Sequence, residues 1–109
     1  MPATPSVVDE AVYERAEQIL TAAGYAARLK LLVRLLDGSR SVGELARLAG
    51  TDVSLVSKQL RILRLADLVT MSRDGRQVQC RIADDEARRF AEFVLSHAAG
   101  RVARTRRVR

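Results

Sequence analysis

The chain has 109 residues, 48% of them hydrophobic and 29% charged, with one cysteine and a formal net charge of +6. That suffices for one domain with a modest core and excludes an intramolecular disulfide. No apolar run approaches the roughly 18–20 residues that cross a bilayer. The stretch Met1-Pro2-Ala3-Thr4-Pro5-Ser6 lacks the basic and apolar segments of a signal peptide. The expected compartment is therefore cytoplasmic, with no membrane partner.

The charge is unevenly placed. Residues 1–52 carry six Lys/Arg against seven Asp/Glu, whereas residues 53–109 carry 13 against six. Cations concentrated in one half of a small domain are an electrostatic footprint for polyanions, nucleic acid first among them. With four per cent aromatics, the core must be built from Leu, Val, Ile and Ala, which favours a mainly α fold.

Residues 1–6 read as a disordered lead, residues 7–99 as the domain, and residues 100–109 as a basic C-terminal tail. From Val7 to Ala23, the apolar residues Val8, Val12, Ala16, Ile19 and Ala23 fall on one helical stripe, closed by Gly24. A second helix is expected from Ala26 to Leu36, burying Leu29, Leu32, Val33 and Leu36. Ser41 then caps a short helix over Val42–Ala49, with Glu44 completing a capping box and Gly50 ending it.

Asp52 caps the next helix, Val53 to about Ala66. Its faces differ: Val56, Leu60 and Leu63 recur at the spacing of an inward side, and Ser54, Ser57, Lys58 and Arg61 recur on the other. Strand-like alternation follows in Leu68–Ser72 and Arg76–Ile82. Asp74-Gly75 supplies the positive φ angles of a two-residue turn, flanked by Arg73 and Arg76. A last helix spans Asp84 to about Ala99, with Ala87, Phe90, Ala91, Val94, Leu95 and Ala98 as its apolar side. Arg101 to Arg109 holds five arginines and no acid, suiting either a flexible tail that adds non-specific DNA affinity or a solvated end.

Helix, tight turn, helix and basic hairpin is the layout of a winged helix-turn-helix, here with four helices before the hairpin and one after it. In that layout Ser54, Leu55, Ser57, Lys58, Gln59 and Arg61 enter the major groove of double-stranded DNA. Gln suits adenine there, and Lys or Arg suits guanine. Arg73 and Arg76 meet phosphates or the minor groove at the wing tip. The first and last helices carry wider apolar stripes than so small a domain needs. A two-fold homodimer would bury the surplus and set two reading helices one DNA turn apart. A protein-interaction module with a basic docking face and no operator preference is the alternative. Enzymatic chemistry is not expected, because one His and one Cys with no phosphate-cradling glycine loop offer no nucleophile–base pair.

The run Ser54-Leu55-Val56-Ser57-Lys58-Gln59-Leu60-Arg61-Ile62-Leu63-Arg64-Leu65-Ala66-Asp67-Leu68-Val69 resembles the reading helix and wing entry of ArsR/SmtB-type bacterial repressors. The likeness extends to Ser41–Ala46, to Arg73-Asp74-Gly75-Arg76 through Arg81–Asp84, and to Arg28-Leu29-Lys30-Leu31-Leu32, which Tyr25-Ala26-Ala27 precedes in place of the family's Asp-Pro. It implies a homodimeric winged-helix repressor that leaves its operator when an inducer binds. One family metal site uses a cysteine pair where this chain has Ser41 and Gly43, and family dithiol switches need two cysteines where it has only Cys80. A second family site, on the last helix, matches Asp84, Glu86, His97 and Gly100, so the resemblance implies Asp84, Glu86 and His97 as ligands for Zn²⁺, Ni²⁺ or Co²⁺. Thirteen helical residues span about 20 Å, so Asp84 and His97 could meet only across two antiparallel chains. Without an ion, Asp84, Asp85 and Glu86 equally suit a helix N-terminus, and His97 an ordinary surface. Cys80, alternating with Val78 and Ile82, is expected to be buried and inert.

Overall fold

The computed structural model describes residues 4–108. Most of the expected lead, residues 1–3, lies outside the described residues, as does Arg109. Thr4 to Ser6 are exposed and form neither helix nor strand. Helix α1 (Glu10–Ala23) starts later than its apolar periodicity suggests, because the carboxylate of Asp9 accepts the Val12 N–H at 3.2 Å and fixes the first turn there. Ala22 and Ala23 are buried, whereas Val12, Tyr13 and Leu20 remain exposed.

Helix α2 (Ala26–Arg34) buries Arg28, Leu31 and Leu32, with Leu35 buried just beyond its end. The expected buried set of Leu29, Leu32, Val33 and Leu36 is therefore rotated by about one residue. The cause is Arg28: periodicity treats arginine as outward-facing, yet this one has buried partners that satisfy its guanidinium.

A two-residue strand β1 (Arg40–Ser41) follows, too short to show any alternation in the sequence, and it pairs with the hairpin. Ser41 also caps α3 (Val42–Ala49), its hydroxyl accepting the Glu44 N–H at 3.0 Å. Only half of the expected capping box forms. Glu44 turns its carboxylate to Arg40, whose Nη1 donates at 2.9 Å. Gly50, at φ 69°, ends α3 in the left-handed region that glycine enters without steric cost.

Asp52 caps α4 (Val53–Leu65) by accepting the Leu55 N–H at 2.8 Å. The helix ends in a Schellman pattern: Leu68 N–H donates to the Leu63 carbonyl and Asp67 N–H to that of Arg64, both at 3.0 Å. Asp67 sits at φ 58°, where glycine is usual.

Strands β2 (Val69–Asp74) and β3 (Gln77–Ile82) pair antiparallel from Val69↔Ile82 to Asp74↔Gln77. The turn residues are therefore Gly75 and Arg76, not Asp74 and Gly75. Only Gly75 has positive φ, at 64°, as a II′ turn requires of its first central residue. The sheet order is β1-β3-β2, so the wing is three-stranded rather than a bare hairpin.

Asp84 caps α5 (Asp85–Val108), accepting the Ala87 N–H at 2.8 Å. This helix does not stop near Ala99. It runs through Gly100, and the expected flexible tail is helical up to Val108. The extension holds no proline, and Ala and Arg are strong helix formers that offset the ~1 kcal/mol cost of one glycine. The core is Leu32 and Leu35 from the α2 segment, Leu45 of α3, and Leu60 and Leu63 of α4, each at most 1% exposed. Burying a leucine gives about 1.5–3 kcal/mol, so this cluster fixes α4 against α2 and α3.

Candidate DNA interface

Helix α4 is held at three places. Its inward edge, Val56, Leu60 and Leu63, is 2% exposed or less. Its C-terminal end is gripped from α1: Arg15 pairs with Asp67, and Arg15 Nη1 and Gln18 Nε2 donate to the Leu65 carbonyl at 3.1 and 3.2 Å. Its middle is tied to α2, where Arg28 Nη1 donates to Gln59 Oε1 at 2.9 Å. Arg28 also donates to the Ala22 carbonyl at 2.6 Å and the Thr21 carbonyl at 3.1 Å, and its guanidinium lies 4.3 Å from the Tyr25 ring centroid. The arginine thus satisfies the Ala22 carbonyl and shares that of Thr21 with the Gly24 N–H at the end of α1, while holding α4.

These anchors leave Ser54, Leu55, Ser57, Lys58 and Arg61 exposed. Opposite the buried edge, Ser54, Lys58 and Arg61 form one polar and cationic ridge, with no side-chain hydrogen bond or ion pair within the chain among the described residues. A ridge of this kind is free to meet base edges and phosphates. Ser57 stands to one side, bordering a cleft with Met71 and Arg76 between α4 and the wing. Arg73 and Arg76 are exposed at the wing tip.

Gln59 departs from the sequence expectation. It is half-buried, with its carbonyl oxygen occupied by Arg28, so it steadies the helix instead of standing on the exposed ridge. Leu55, 45% exposed, lines a different cleft from the ridge, between α2, α3 and α4. Arg28 is the residue that sequence reasoning missed. Its signals were its place in the family-like run Arg28–Leu32, which assigned it no role, and a charge interrupting an apolar stripe, a pattern shared with ordinary surface arginines.

Within a single chain the expected metal ligands lie apart, as a site shared between two chains requires. Among the described residues of one chain, no three His, Cys, Asp or Glu side chains are placed to hold an ion. Asp84 uses Oδ1 to cap α5. His97 stacks on Phe93 with centroids 5.8 Å apart, and its Nε2 accepts from Arg101 Nε at 3.4 Å. Gly100 contributes no donor. Cys80 is fully buried in β3, and burial pushes its thiol pKa up from 9.0 to about 11, so at neutral pH it is a protonated, unreactive core residue. No helix among the described residues is long and apolar enough to cross a membrane.

A reading helix held from behind, an outward cationic ridge and an adjacent basic wing define a winged helix-turn-helix DNA-binding regulator. The sequence pattern described as "Bacterial regulatory protein, arsR family" matches residues 26–71. The HTH-type transcriptional repressor SmtB of Mycobacterium tuberculosis is 30% identical over 97 residues, covering 89% of this chain and 72% of that protein. The biofilm growth-associated repressor of Agrobacterium fabrum is 35% identical over 78 residues, covering 72% and 67%. Among solved structures, the homodimeric winged helix-turn-helix DNA-binding domain of Mb0332 from Mycobacterium bovis superposes with a TM-score of 0.81 at 26% identity, covering 90% of this chain and 91% of that one. The chain belongs to the ArsR family of bacterial transcriptional regulators.

Proposed function

We propose that the protein is a homodimeric repressor that reads a specific operator through α4 and its wing. The observation that carries this reading is the exposed ridge of Ser54, Lys58 and Arg61, set back to back with the buried Val56, Leu60 and Leu63. Lys58 and Arg61 supply donors for guanine, Ser54 and Ser57 hydrogen-bond bases or phosphates, and Arg73 and Arg76 fix register through the backbone. Exposed Val12, Tyr13 and Leu20 on α1 and Phe93 and Val102 on α5 support pairing of two copies, as does the homodimeric state of the Mycobacterium bovis domain.

The test is a gel shift on the chain's own upstream promoter. The Lys58→Ala/Arg61→Ala double variant loses the operator shift with an unchanged circular dichroism spectrum. Arg73→Ala/Arg76→Ala weakens all duplexes alike and lowers the salt slope by about one per phosphate contact removed. Unaltered operator affinity in the α4 variant defeats the assignment. Selection from a random-sequence duplex pool that yields no preferred site would favour a protein-docking module instead.

The family resemblance implies a divalent ion as effector, and the residues here do not fit one. Asp84 commits Oδ1 to its own helix cap and Gly100 supplies no donor, which leaves at most three protein ligands even where two antiparallel copies of α5 bring Asp84 and Glu86 of one to His97 of the other.

A further inference from the structure

We propose that the cleft between α2, α3 and α4 is an effector site for an amphipathic organic carboxylate, a small molecule with an apolar body and one anionic end. The inference rests on the regulator reading in one respect, that α4 is the helix that meets DNA.

The cleft measures about 680 Å³, within the roughly 300–1,000 Å³ usual for small-molecule sites. Its walls are mainly apolar. Val33, Leu48 and Leu55, one from each of the three helices, line it while remaining 36%, 39% and 45% exposed. Three large aliphatic side chains left uncovered around one hollow are a surface that an apolar body would cover.

The polar groups in the lining have one sign. Lys30 and Arg34 both line the cleft, no Asp or Glu does, and neither cation forms an ion pair among the described residues. Gln59 adds an amide whose oxygen is already taken by Arg28, leaving its NH₂ group as the available donor. Two unneutralised cations and an amide donor against aliphatic walls select a carboxylate on a hydrocarbon body over a neutral or cationic molecule.

Occupancy is coupled to DNA through shared residues. Leu55, Val56 and Gln59 of the lining belong to α4, and Gln59 is also the acceptor that Arg28 uses to hold that helix. A ligand wedged against Leu55 and Gln59 bears on the helix that carries Lys58 and Arg61. The linkage is reciprocal, so operator DNA must weaken the ligand by the same factor as the ligand weakens DNA.

The experiment uses the full chain, with sodium decanoate and decan-1-ol as probes. In ¹⁵N-correlation spectra, decanoate gives saturable shifts at residues 27–34, 48–51 and 55–59, and decanol binds at least ten-fold more weakly. Lys30→Gln/Arg34→Gln abolishes that preference, while Leu48→Trp fills the hollow and blocks decanoate with a native dichroism spectrum. Saturating decanoate lowers affinity for the upstream duplex at least ten-fold, and the duplex lowers decanoate affinity equally. Shifts confined to α1 and α5, no saturation, or equal binding of decanol overturns the site. Saturation with unchanged operator affinity overturns the effector role. If Lys30→Gln/Arg34→Gln weakens DNA in a protein that never binds decanoate, the two cations serve phosphates and the proposal fails. Absence of any DNA binding in the ligand-free protein counts against the regulator reading, while the probe titration still decides the cleft.

Discussion

Arg15 on α1 pairs with Asp67, the residue that turns the chain out of α4, 52 positions later in sequence. The pair ties the helix proposed for dimerisation to the C-terminal end of the helix proposed for DNA reading. Because Asp67 occupies the left-handed region, its backbone and its side chain make separate contributions that substitutions can part. Asp67→Gly removes the ion pair but relaxes the backbone, and is expected to be neutral within about 0.5 kcal/mol. Asp67→Val loses the pair and keeps a strained β-branched residue, at a cost of about 1–2 kcal/mol. Urea denaturation midpoints of the two variants check the order, and equal midpoints would refute it.

Arg28 is 7% exposed and makes three hydrogen bonds, two of them to carbonyls at the end of α1. Arg28→Met keeps the volume but strips the donor from the Ala22 carbonyl and Gln59 Oε1, while the Thr21 carbonyl keeps the Gly24 N–H, and is expected to cost about 2–4 kcal/mol. Gln59→Ala removes one acceptor of the three, at a cost of about 1 kcal/mol. It should leave the preferred operator bases unchanged, since Gln59 faces Arg28. Thermal melts measure the first pair of effects, and selection from a random duplex pool measures the last. An altered base preference would return Gln59 to the groove.

Cys80 gives a pH signature of known sign. Its folded-state thiol pKa, about 11, lies above the unfolded value of 9.0, so the folded chain holds this proton more tightly. The associated stability is complete below pH 9 and is lost as pH rises from 9 to 11. Relative to Cys80→Val, the wild-type protein should therefore lose up to about 2–3 kcal/mol across that window. Parallel urea titrations of the two proteins at pH 8 and pH 11 give the comparison. A constant difference between them would show that the thiol titrates normally.

For metal, the expected result is indifference. Adding Zn²⁺, Ni²⁺, Co²⁺ or a chelator should change operator affinity less than two-fold, and His97→Ala should behave as wild type. A metal-dependent loss of the gel shift that His97→Ala abolishes would establish a site shared between two copies of α5.

The parts of the fold legible in sequence were those with a local chemical signal. Asp52, Ser41 and Gly50 marked the ends of α3 and α4, and alternation marked β2 and β3. The exposed ridge of Ser54, Lys58 and Arg61 followed directly from helical spacing. What escaped depended on contacts distant in sequence. The rotated face of α2 required Arg28 to find carbonyls on α1, β1 exists only because β3 lies beside it, and Gln59 looked like a base reader until Arg28 claimed its oxygen. The turn was misplaced by one residue because Asp74 and Gln77 still pair, which leaves Gly75 and Arg76 outside the ladder.

Ser41 belongs at once to the sheet and to the cap of α3: it pairs with Gln79 of β3 while its hydroxyl closes the first turn of the helix. The wing is thereby riveted to the scaffold at its central strand, so swinging the hairpin drags α3 along. Transplanting a foreign wing onto this chain would require carrying residues 40–44 with it, since a graft cut at residues 69 and 82 alone would sever the joint that aims it.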